Sequence, residues 1–352
     1  MITYDVIVIG GGQAGLSAGY FLKKRNIPFI ILDKESEAGA AWRRRYDSLV
    51  LFTPRSYSSL PGLILEGKQE EYPTKNEVAD YLGKYATYFD FPIQFQTEVL
   101  SVSKLEDIFR ITTNRGDYTA KHVIVTTGPF QRPYIPPIAD CLNEDIVQLH
   151  TAHYRNSNDL QDGTTLVIGA GNSGAQIAVE LAESRDVYLS VGHRIKYMPL
   201  ELLGRSIFWW FGKMGILSAS VDTRVGAFIR KQPDPIFGFE LRDAIRKGKV
   251  RLKPRMDKMA GDTVGFEGNS SLQPKNIVWA TGFRPDYSWI CIPGVLDELG
   301  KPHHQRGIST VSGLYFIGLP WQYRRVSALI GGVGEDAAFI VNHLFHAGRS
   351  II

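Results

Sequence analysis

The stretch Tyr4–Asp33, which reads YDVIVIGGGQAGLSAGYFLKKRNIPFIILD, decides the fold of this chain. Tyr4–Ile9 is rich in β-branched residues, which is typical of a strand buried on both faces of a parallel sheet. A helix is predicted over residues 13–25, and a second apolar strand, Phe29–Leu32, leads to an aspartate. This order of strand, glycine-rich turn, helix and strand predicts half of a doubly wound α/β nucleotide-binding fold.

Three glycines follow the first strand at G-x-G-x-x-G spacing: Gly10, Gly12 and Gly15. At this spacing the first glycine permits a tight turn, the second lets the backbone approach a pyrophosphate, and the third brings helix and strand close together. The helix N-terminus then presents unpaired N–H groups and a positive dipole to the phosphates. Asp33 is placed to accept hydrogen bonds from a ribose diol, so a dinucleotide is predicted here.

The same arrangement returns at Thr165–Gly174, TLVIGAGNSG. Three glycines repeat the spacing: Gly169, Gly171 and Gly174. Two such turns, each between a strand and a helix, predict two bound nucleotides. The next strand, Asp186–Val191, is followed by His193 and Arg194 and by no acidic residue. An acid would repel a 2′-phosphate, whereas these side chains can bind one, so a modest preference for NADPH is predicted and NADH is kept as an alternative.

The rest of the chain is predicted to join these two units. Residues 93–125 form short alternating runs, which predict a small β-meander that returns to the main sheet and ends at Thr127 and Gly128. Asn276–Phe283, NIVWATGF, is predicted to hand the chain back to the first unit, and a helix over residues 328–345 completes it. The second domain is therefore expected to be inserted into the first. The predicted parts are residues 1–158 and 276–352 for the first nucleotide domain and 159–275 for the inserted one.

The composition of the chain argues against several functional classes. At 352 residues the chain is long enough for two domains, and its net charge of +4 is small. No basic run interleaved with aromatics points to nucleic acid. The two cysteines, Cys141 and Cys291, form no disulfide framework, C-x-x-C or metal-ligand pattern, so a reducing cytoplasm is expected. No signal peptide and no membrane span are expected either.

One apolar segment, Met198–Ser220, has no place in this scheme. It suits a buried or docking helix, a lid on the substrate side, or a membrane-surface patch. Because Lys213 lies alone among apolar residues, the core or lid role is favoured over a basic membrane-binding helix.

Four motifs together resemble the flavin-containing monooxygenases, the class B single-component flavoproteins that include YUCCA-type plant enzymes and small bacterial monooxygenases. They are GGGQAG at 10–15, Gly39-Ala40-Ala41-Trp42, GAGNSG at 169–174 and ATGF at 280–283. The second departs from the family's G-G-x-W by one alanine. The resemblance covers nearly the whole chain and implies FAD at the first glycine turn and NADPH at the second.

Two departures from the family lie closer to the chemistry. The signature F-x-G-x-x-x-H-x-x-x-Y is half present, since His150 and Tyr154 match while Glu144 and Ile146 replace Phe and Gly. The family's asparagine near the flavin aligns with Phe52, which has no amide to hydrogen-bond the flavin. Heteroatom oxygenation and Baeyer–Villiger oxidation therefore both stay open.

The resemblance implies that NADPH reduces FAD and that the reduced flavin takes up O2 as a C4a-hydroperoxide. A small organic substrate, either a soft nucleophile such as a sulfide or amine or a ketone, then receives one oxygen atom. An NAD(P)H oxidase that releases hydrogen peroxide and a transporter-associated nucleotide-sensing flavoprotein stay open as alternatives. A disulfide reductase would need a dithiol, and the chain has none. A homodimer is left open.

The candidate residues follow from the spacing and the resemblance. The expected FAD contacts are Gly10, Gly12, Gln13, Ala14, Gly15, Asp33, Lys34, Trp42, Arg43, Val99, Thr127, Gly128, Gly318 and Leu329. The expected NADP contacts are Gly169, Gly171, Asn172, Ser173, Gly174, His193, Arg194, Thr281 and Gly282. For the reaction itself, Phe52 is expected beside the flavin. His150 is expected to be either a general base or a structural residue at the domain junction.

Overall fold

A computed structural model describes residues 3–347. Within this range the chain forms two large sheets, one mixed around a parallel centre and one entirely parallel, with helices packed against them. The predicted α/β fold class is confirmed. The helices are α1 (Gln13–Lys24), α2 (Ala40–Arg43), α3 (Lys75–Tyr88), α4 (Asn172–Leu181), α5 (Ile207–Lys213), α6 (Arg224–Arg230), α7 (Glu240–Arg246) and α8 (Ile330–Ala347). Short 3₁₀ turns lie at Arg55–Tyr57, Pro137–Cys141, Ser157–Asp159 and Arg325–Ala328.

The first sheet is centred on the strand Thr3–Ile9. It pairs in parallel with Phe29–Leu32 on one side and with Gly116–Val125 on the other. Val6, Ile7 and Val8 are fully buried, as an unbroken apolar run requires. The order across the sheet is His304–Gln305, Ile308–Ser309, Leu314–Phe316, Gly116–Val125, Thr3–Ile9, Phe29–Leu32 and Ile93–Gln94.

The predicted β-meander is present. Val99–Leu105 and Ile108–Thr113 form an antiparallel hairpin, and the second of them pairs with the first half of Gly116–Val125. The last strand of the meander is therefore also a central strand of the parallel sheet. This continuity fixes the end of that strand, and Thr127–Gly128 after it, beside the first glycine turn.

The second sheet begins earlier in the chain, and ends later, than the sequence predicts. Its order is Val250–Lys253, Val187–Ser190, Thr165–Ile168, Asn276–Trp279 and Val147–His150, with all strands parallel. The prediction that Asn276–Trp279 returns to the first unit is therefore wrong. A fully buried apolar strand of this kind suits either parallel sheet, and its sequence does not say which. The predicted boundaries at 159 and 275 cut this sheet, which spans residues 147–279.

Smaller pairings connect or extend the two sheets. The antiparallel pair Glu201–Leu202 with Arg205–Ser206 forms a hairpin before α5. The others are Arg132–Pro133 with Phe283–Arg284, Tyr197–Met198 with Ile236–Phe237, and a three-stranded sheet of Met256–Ala260, Thr263–Phe266 and Ser270–Leu272.

Helix α3 begins at a capping box, which the motif Thr74-Lys75-Asn76-Glu77 indicates in the sequence. Thr74 Oγ1 accepts the Glu77 N–H at 3.3 Å, and Glu77 Oε2 accepts the Thr74 N–H at 2.8 Å. This reciprocal pair satisfies two N–H groups that the helix itself leaves unpaired. The helix packs with α1 and α8 in one core, which contains Leu16, Val78 and Val333. In the described part of the chain, no helix is long and apolar enough to cross a membrane.

Candidate cofactor and active site

The first glycine turn has the geometry that its spacing predicts. Gly10 has φ +107°, and a Cβ there would lie 3.0 Å from the Thr126 carbonyl oxygen. A Cβ on Gly15 would overlap the Gly10 carbonyl oxygen. A Cβ on Gly12, in contrast, would meet no other atom within 4 Å. Packing therefore requires the outer two glycines, while the middle one borders open space.

The second glycine turn repeats this geometry. Gly169 has φ +108°, and a Cβ there would overlap the Ala280 carbonyl oxygen. A Cβ on Gly174 would overlap the Gly169 carbonyl oxygen, and one on Gly171 would meet no other atom within 4 Å. The two turns are thus equivalent in backbone conformation and in which position is open.

Each open space lies at a helix N-terminus. Gly12 is the N-cap of α1 and Gly171 is the N-cap of α4, and neither has a side chain to cap the first N–H groups. Such N–H groups, together with the positive end of the helix dipole, favour a phosphate. The residues present therefore fit the pyrophosphates of two dinucleotides.

A further pair of glycines follows the neighbouring strands. Gly128 comes after Gly116–Val125 and has φ +68°; Gly282 comes after Asn276–Trp279 and has φ +80°. A Cβ at either position would meet no other atom within 4 Å. Each strand lies beside the strand of a glycine turn in its own sheet. Both sites are therefore open at the carboxyl edge of a parallel sheet, where this class of fold binds ligands.

One connector joins the two sites. The Gln131 side-chain amide donates to Thr127 Oγ1 at 3.0 Å. The Tyr134 N–H donates to the Gly282 carbonyl at 3.0 Å, and the Tyr134 carbonyl accepts from the Thr281 hydroxyl. The predicted Thr-Gly pairs of the two sites are therefore tied together through residues 131–134.

Asp33 lies directly beside the first glycine turn. Its side chain is buried; Oδ2 accepts the Gly11 N–H at 2.6 Å, and Oδ1 accepts the Glu35 N–H at 2.9 Å. Burial raises the pKa of Asp33, while these two hydrogen bonds act against that rise. Each carboxylate oxygen can accept a second hydrogen bond, as a ribose contact would require. The Thr97 N–H donates to the Asp33 carbonyl at 2.8 Å and so places the predicted Val99 nearby.

Other predicted FAD residues also meet here. The Trp42 indole N–H donates to Gln13 Oε1 at 3.4 Å, which brings the small-residue turn against the start of α1. Gly318 has φ +88°, and a Cβ there would lie 3.0 Å from the Cβ of Ala14. Leu329 directly precedes α8.

The predicted FAD contact of Arg43, which a guanidinium would make with the phosphates, does not agree with the structure. Its exposed guanidinium is bound to Glu37 at 3.1 Å and to Asp80 at 2.9 Å. A phosphate would have to displace both carboxylates. The side chain of Lys34, another predicted FAD contact, is exposed to solvent.

Arg45 has a different position from the exposed Arg43 and Arg44. It is half-buried, and its guanidinium carbon lies 5.4 Å from the ring centres of both Phe130 and Phe283. Burial lowers the pKa of Arg45. This places a cation on the Phe283 ring, next to Gly282, and sequence reasoning missed it because Arg45 stands in a run of three arginines.

Both ring nitrogens of His150 are hydrogen-bonded to backbone groups. The Ala152 N–H donates to Nδ1 at 3.1 Å, so Nε2 carries the proton and donates to the Gly282 carbonyl at 2.9 Å. Burial lowers the pKa of His150, which favours this neutral form. With both nitrogens engaged, the ring is suited to holding Gly282 in place. Tyr154 is fully buried and donates to Glu180 on α4 at 2.9 Å.

Phe52 lies in an apolar cluster between the two units. Its ring stacks on that of Phe237, with ring centres 4.5 Å apart, and on that of Phe208 of α5, with ring centres 6.1 Å apart. Tyr57 and Leu329 pack against the same cluster. Phe52 is thus brought beside a residue predicted to contact FAD.

The first turn of α4 supports this cluster. The Asn172 side-chain amide donates to the Pro235 carbonyl at 3.1 Å, and its oxygen accepts the Phe237 N–H at 2.9 Å. The side chain of Asn172 is therefore committed to residues 235–237, which leaves its backbone N–H for a nucleotide. Ser173 follows in the same turn and is half-buried.

His193 and Arg194 are exposed after the strand Val187–Ser190, where the second ribose is expected. A third basic residue, Arg255, reaches the same place: its Nη2 donates to the Gly192 carbonyl at 3.3 Å. Sequence reasoning missed it. The signal was available, because Arg255 follows the strand Val250–Lys253, and neighbouring parallel strands end at one edge.

Ser190 fixes the position of Arg255. Its buried hydroxyl donates to the Pro254 carbonyl at 2.8 Å and accepts the Met256 N–H at 3.2 Å. The backbone on both sides of Arg255 is therefore bound to the end of the neighbouring strand. Glu267 lies 3.9 Å away and competes weakly for the guanidinium.

Comparison with known proteins agrees with this geometry. A family model for pyridine nucleotide-disulphide oxidoreductases matches residues 7–196. A CzcO-like oxidoreductase of Geobacillus kaustophilus is 58% identical over 97% of this chain and 98% of its own. A flavin-containing monooxygenase from Stenotrophomonas maltophilia has a TM-score of 0.82, 27% identity and 99% coverage of both chains. The probable indole-3-pyruvate monooxygenase YUCCA9 of Arabidopsis thaliana is 26% identical over 81% of this chain and 76% of its own.

These similarities define a flavoprotein oxidoreductase. The chain belongs to the pyridine nucleotide-disulphide oxidoreductase family. The predicted resemblance to flavin-containing monooxygenases is confirmed. The predicted use of a flavin and a nicotinamide nucleotide agrees with this family. Both cysteines, Cys141 and Cys291, are free and exposed. In the described part of the chain, no group of His, Cys, Asp and Glu side chains is arranged to hold a metal ion.

We predict that Gly12→Val removes flavin without unfolding the protein. Gly12 has φ −75° and ψ −169°, which any residue adopts, and its Cβ would enter open space. The added side chain would fill the space proposed for the pyrophosphate. The absorbance ratio of flavin to protein and the melting temperature check this. Gly171→Val is the matched control, which should keep flavin and lose NADPH affinity; full flavin occupancy in Gly12→Val would contradict the assignment.

We predict that Arg255→Ala weakens binding of 2′,5′-ADP by about ten-fold, or about 1.4 kcal/mol, and leaves 5′-AMP binding unchanged. The loss reflects one charge-assisted hydrogen bond to the 2′-phosphate. Calorimetry with both nucleotides checks it, with Arg194→Ala in parallel. Arg251→Ala is the control, because that exposed arginine pairs with Asp186 instead. An equal loss for both nucleotides would mean that Arg255 does not contact the 2′-phosphate.

We predict that His150 contributes to acid sensitivity. Its pKa is lowered in the folded state, so below about pH 6.5 the unfolded state binds the proton first and the free energy of unfolding falls. The fall is at most about 1.4 kcal/mol for each pH unit in which the two states differ by one proton. Urea unfolding at pH 7.5 and 5.5 should show a smaller decrease in His150→Gln than in the parent. Equal decreases would show that the ring is not held neutral.

Proposed function

We propose that the protein is an FAD-dependent, NADPH-using monooxygenase that transfers one oxygen atom from O2 to a small organic substrate. The observation that supports this best is the pair of equivalent open glycine turns, tied together through residues 131–134. Such a connection suits a reaction in which a nicotinamide and a flavin must meet. The similarity to monooxygenases supports the oxygenase class.

Bound FAD would supply the hard chemistry, accepting a hydride from NADPH and activating O2. The protein's own residues bind and orient. The α1 N-terminus, Asp33 and Gly318 would hold FAD, and the α4 N-terminus, Arg255 and Gly282 would hold NADPH. His150 fixes Gly282 as a neutral hydrogen-bonding group and moves no proton.

The apolar cluster around Phe52 points to the type of substrate. Stacked rings of Phe52, Phe237 and Phe208 exclude water and offer no charged partner. We therefore propose an uncharged, partly apolar substrate with a soft nucleophilic sulfur or nitrogen, with a ketone as the alternative. Exclusion of water from such a site would also disfavour loss of the activated oxygen as hydrogen peroxide before it reaches the substrate.

An NAD(P)H oxidase is the second candidate, and one observation favours it. Phe52 has no amide, so it cannot hydrogen-bond the flavin, and its stacked neighbours supply no such group in its place. We propose that part of the NADPH is oxidised without oxygenation of a substrate, because its two electrons reduce O2 to hydrogen peroxide. A disulfide reductase is disfavoured, because Cys141, at the end of a 3₁₀ turn, and Cys291, in a loop, are both free and form no redox-active dithiol. A cytoplasmic location and a homodimer stay proposals.

We predict that purified protein with NADPH converts a dialkyl sulfide to the sulfoxide and also releases peroxide. Phe52→Asn should lower the peroxide fraction and lengthen the delay before oxidised-flavin absorbance returns after reduced protein is mixed with O2. Its amide would supply the hydrogen bond that Phe52 lacks. Phe52→Leu, which stays apolar, should match the parent.

Two results would change the assignment. If both Phe52 variants match the parent in delay and peroxide, residue 52 is not beside the flavin. If NADPH is consumed while sulfides, amines and ketones are all left unchanged, the oxidase is the correct function.

A further inference from the structure

Exposed apolar side chains concentrate in Pro199–Lys231. Five of the fifteen exposed large apolar side chains in the described residues lie in this short segment: Leu202, Leu203, Met214, Val225 and Phe228. Leu203, at 83%, is the most exposed of all fifteen. Isolated exposed leucines are common on protein surfaces, whereas a concentration of them marks an interaction surface.

The most exposed leucine belongs to a well-defined unit, residues 201–213, which we call the leucine hairpin. Strands Glu201–Leu202 and Arg205–Ser206 form a hairpin whose tip is Leu203, with φ +52°. Helix α5 follows directly, and the Trp210 indole N–H donates to the Leu202 carbonyl at 2.8 Å. The tip is therefore fixed to the helix.

The underside of the leucine hairpin is packed. Ile207 and Phe208 are buried, and Phe208 faces Phe52 of the apolar cluster. Just before the hairpin, the Tyr72 hydroxyl donates to the Leu200 carbonyl at 3.1 Å. The exposed leucines are therefore presented by an anchored structure.

Cations flank an aromatic ring next to this tip. The Arg205 guanidinium lies 5.8 Å and the Lys213 ammonium 5.5 Å from the centre of the Trp209 ring. Both basic residues are exposed, and Glu201 is the one acidic residue of the unit. The surface thus combines exposed leucine side chains, a tryptophan ring and two positively charged side chains.

We propose that the leucine hairpin binds the surface of a bilayer that contains anionic phospholipids. Leucines enter the boundary of the acyl chains, tryptophan rings sit at the level of the headgroups, and Lys and Arg contact lipid phosphates. A standard protein interface takes roughly 20–30 residues from each side, more than this 13-residue unit offers. A bilayer needs only a tip and its flanking charges. The proposed binding does not rest on the reaction proposed above.

Vesicle flotation of the flavin-loaded protein tests this. We expect binding to vesicles of phosphatidylcholine mixed with phosphatidylglycerol, little binding to pure phosphatidylcholine, and weaker binding as salt rises. Leu203→Asp should lower the partition coefficient at least about ten-fold. The double variant Arg205→Glu/Lys213→Glu should abolish the preference for anionic vesicles.

Leu105→Asp is the matched control. Leu105 is 79% exposed at the tip of another hairpin, between Val99–Leu105 and Ile108–Thr113, but Glu106 and Asp107 follow it. This variant should bind vesicles as the parent does. Flavin absorbance and NADPH oxidation should be unchanged in both leucine variants, which separates loss of docking from loss of fold.

Three results would overturn the proposal. They are no binding of the parent to mixed vesicles, equal binding of the parent to neutral and anionic vesicles, and equal loss of binding in Leu203→Asp and Leu105→Asp. The first would leave a protein partner as the occupant of this surface.

Discussion

The close approach of a helix to the strand before it, allowed by one missing Cβ, is the constraint on which both nucleotide sites depend. Gly15 lies against the Gly10 carbonyl oxygen and Gly174 against that of Gly169, so near that a methyl group would overlap each oxygen. Any side chain would push the helix away from its sheet. The first N–H groups of the helix would move with it, and the open space beside the middle glycine would lose its donors. A packing contact between backbones therefore positions two helix dipoles for two phosphates.

The two sites are joined through uncharged groups, namely the Gln131 amide, the Thr281 hydroxyl and the backbone of Tyr134. The Tyr134 N–H and the His150 ring both donate to the Gly282 carbonyl. Of these groups only His150 titrates near neutral pH, so the geometry of this junction depends on pH through His150. A protonated ring would no longer accept the Ala152 N–H, and one of its two hydrogen bonds would be lost. Burial opposes that protonation, so the same feature that orients the ring also keeps it neutral.

Sequence reasoning succeeded where a residue's role follows from its own neighbours in the chain. Glycine spacing, the Thr74 capping box and the β-meander depend on local geometry, and all are present. It failed where partners come from distant segments. Arg43 reads as a phosphate ligand until Asp80 of α3 is seen beside it, and Asn276–Trp279 fits either sheet by its apolar pattern. Arg255 reaches Gly192, where the second ribose is expected, through strand order, which a linear pattern does not contain.

Helix α5 links the apolar cluster around Phe52 to the exposed leucine hairpin, because its few residues contact both. Its first turn buries Phe208 against Phe52, and its next residues, Trp209 and Trp210, hold the leucine hairpin in place. A displacement of the hairpin by a few ångströms would therefore alter the stacking on Phe52, since close-packed aromatic clusters do not deform gradually. The segment that a two-nucleotide fold does not require therefore connects the exposed hairpin to the ring of Phe52 through Phe208.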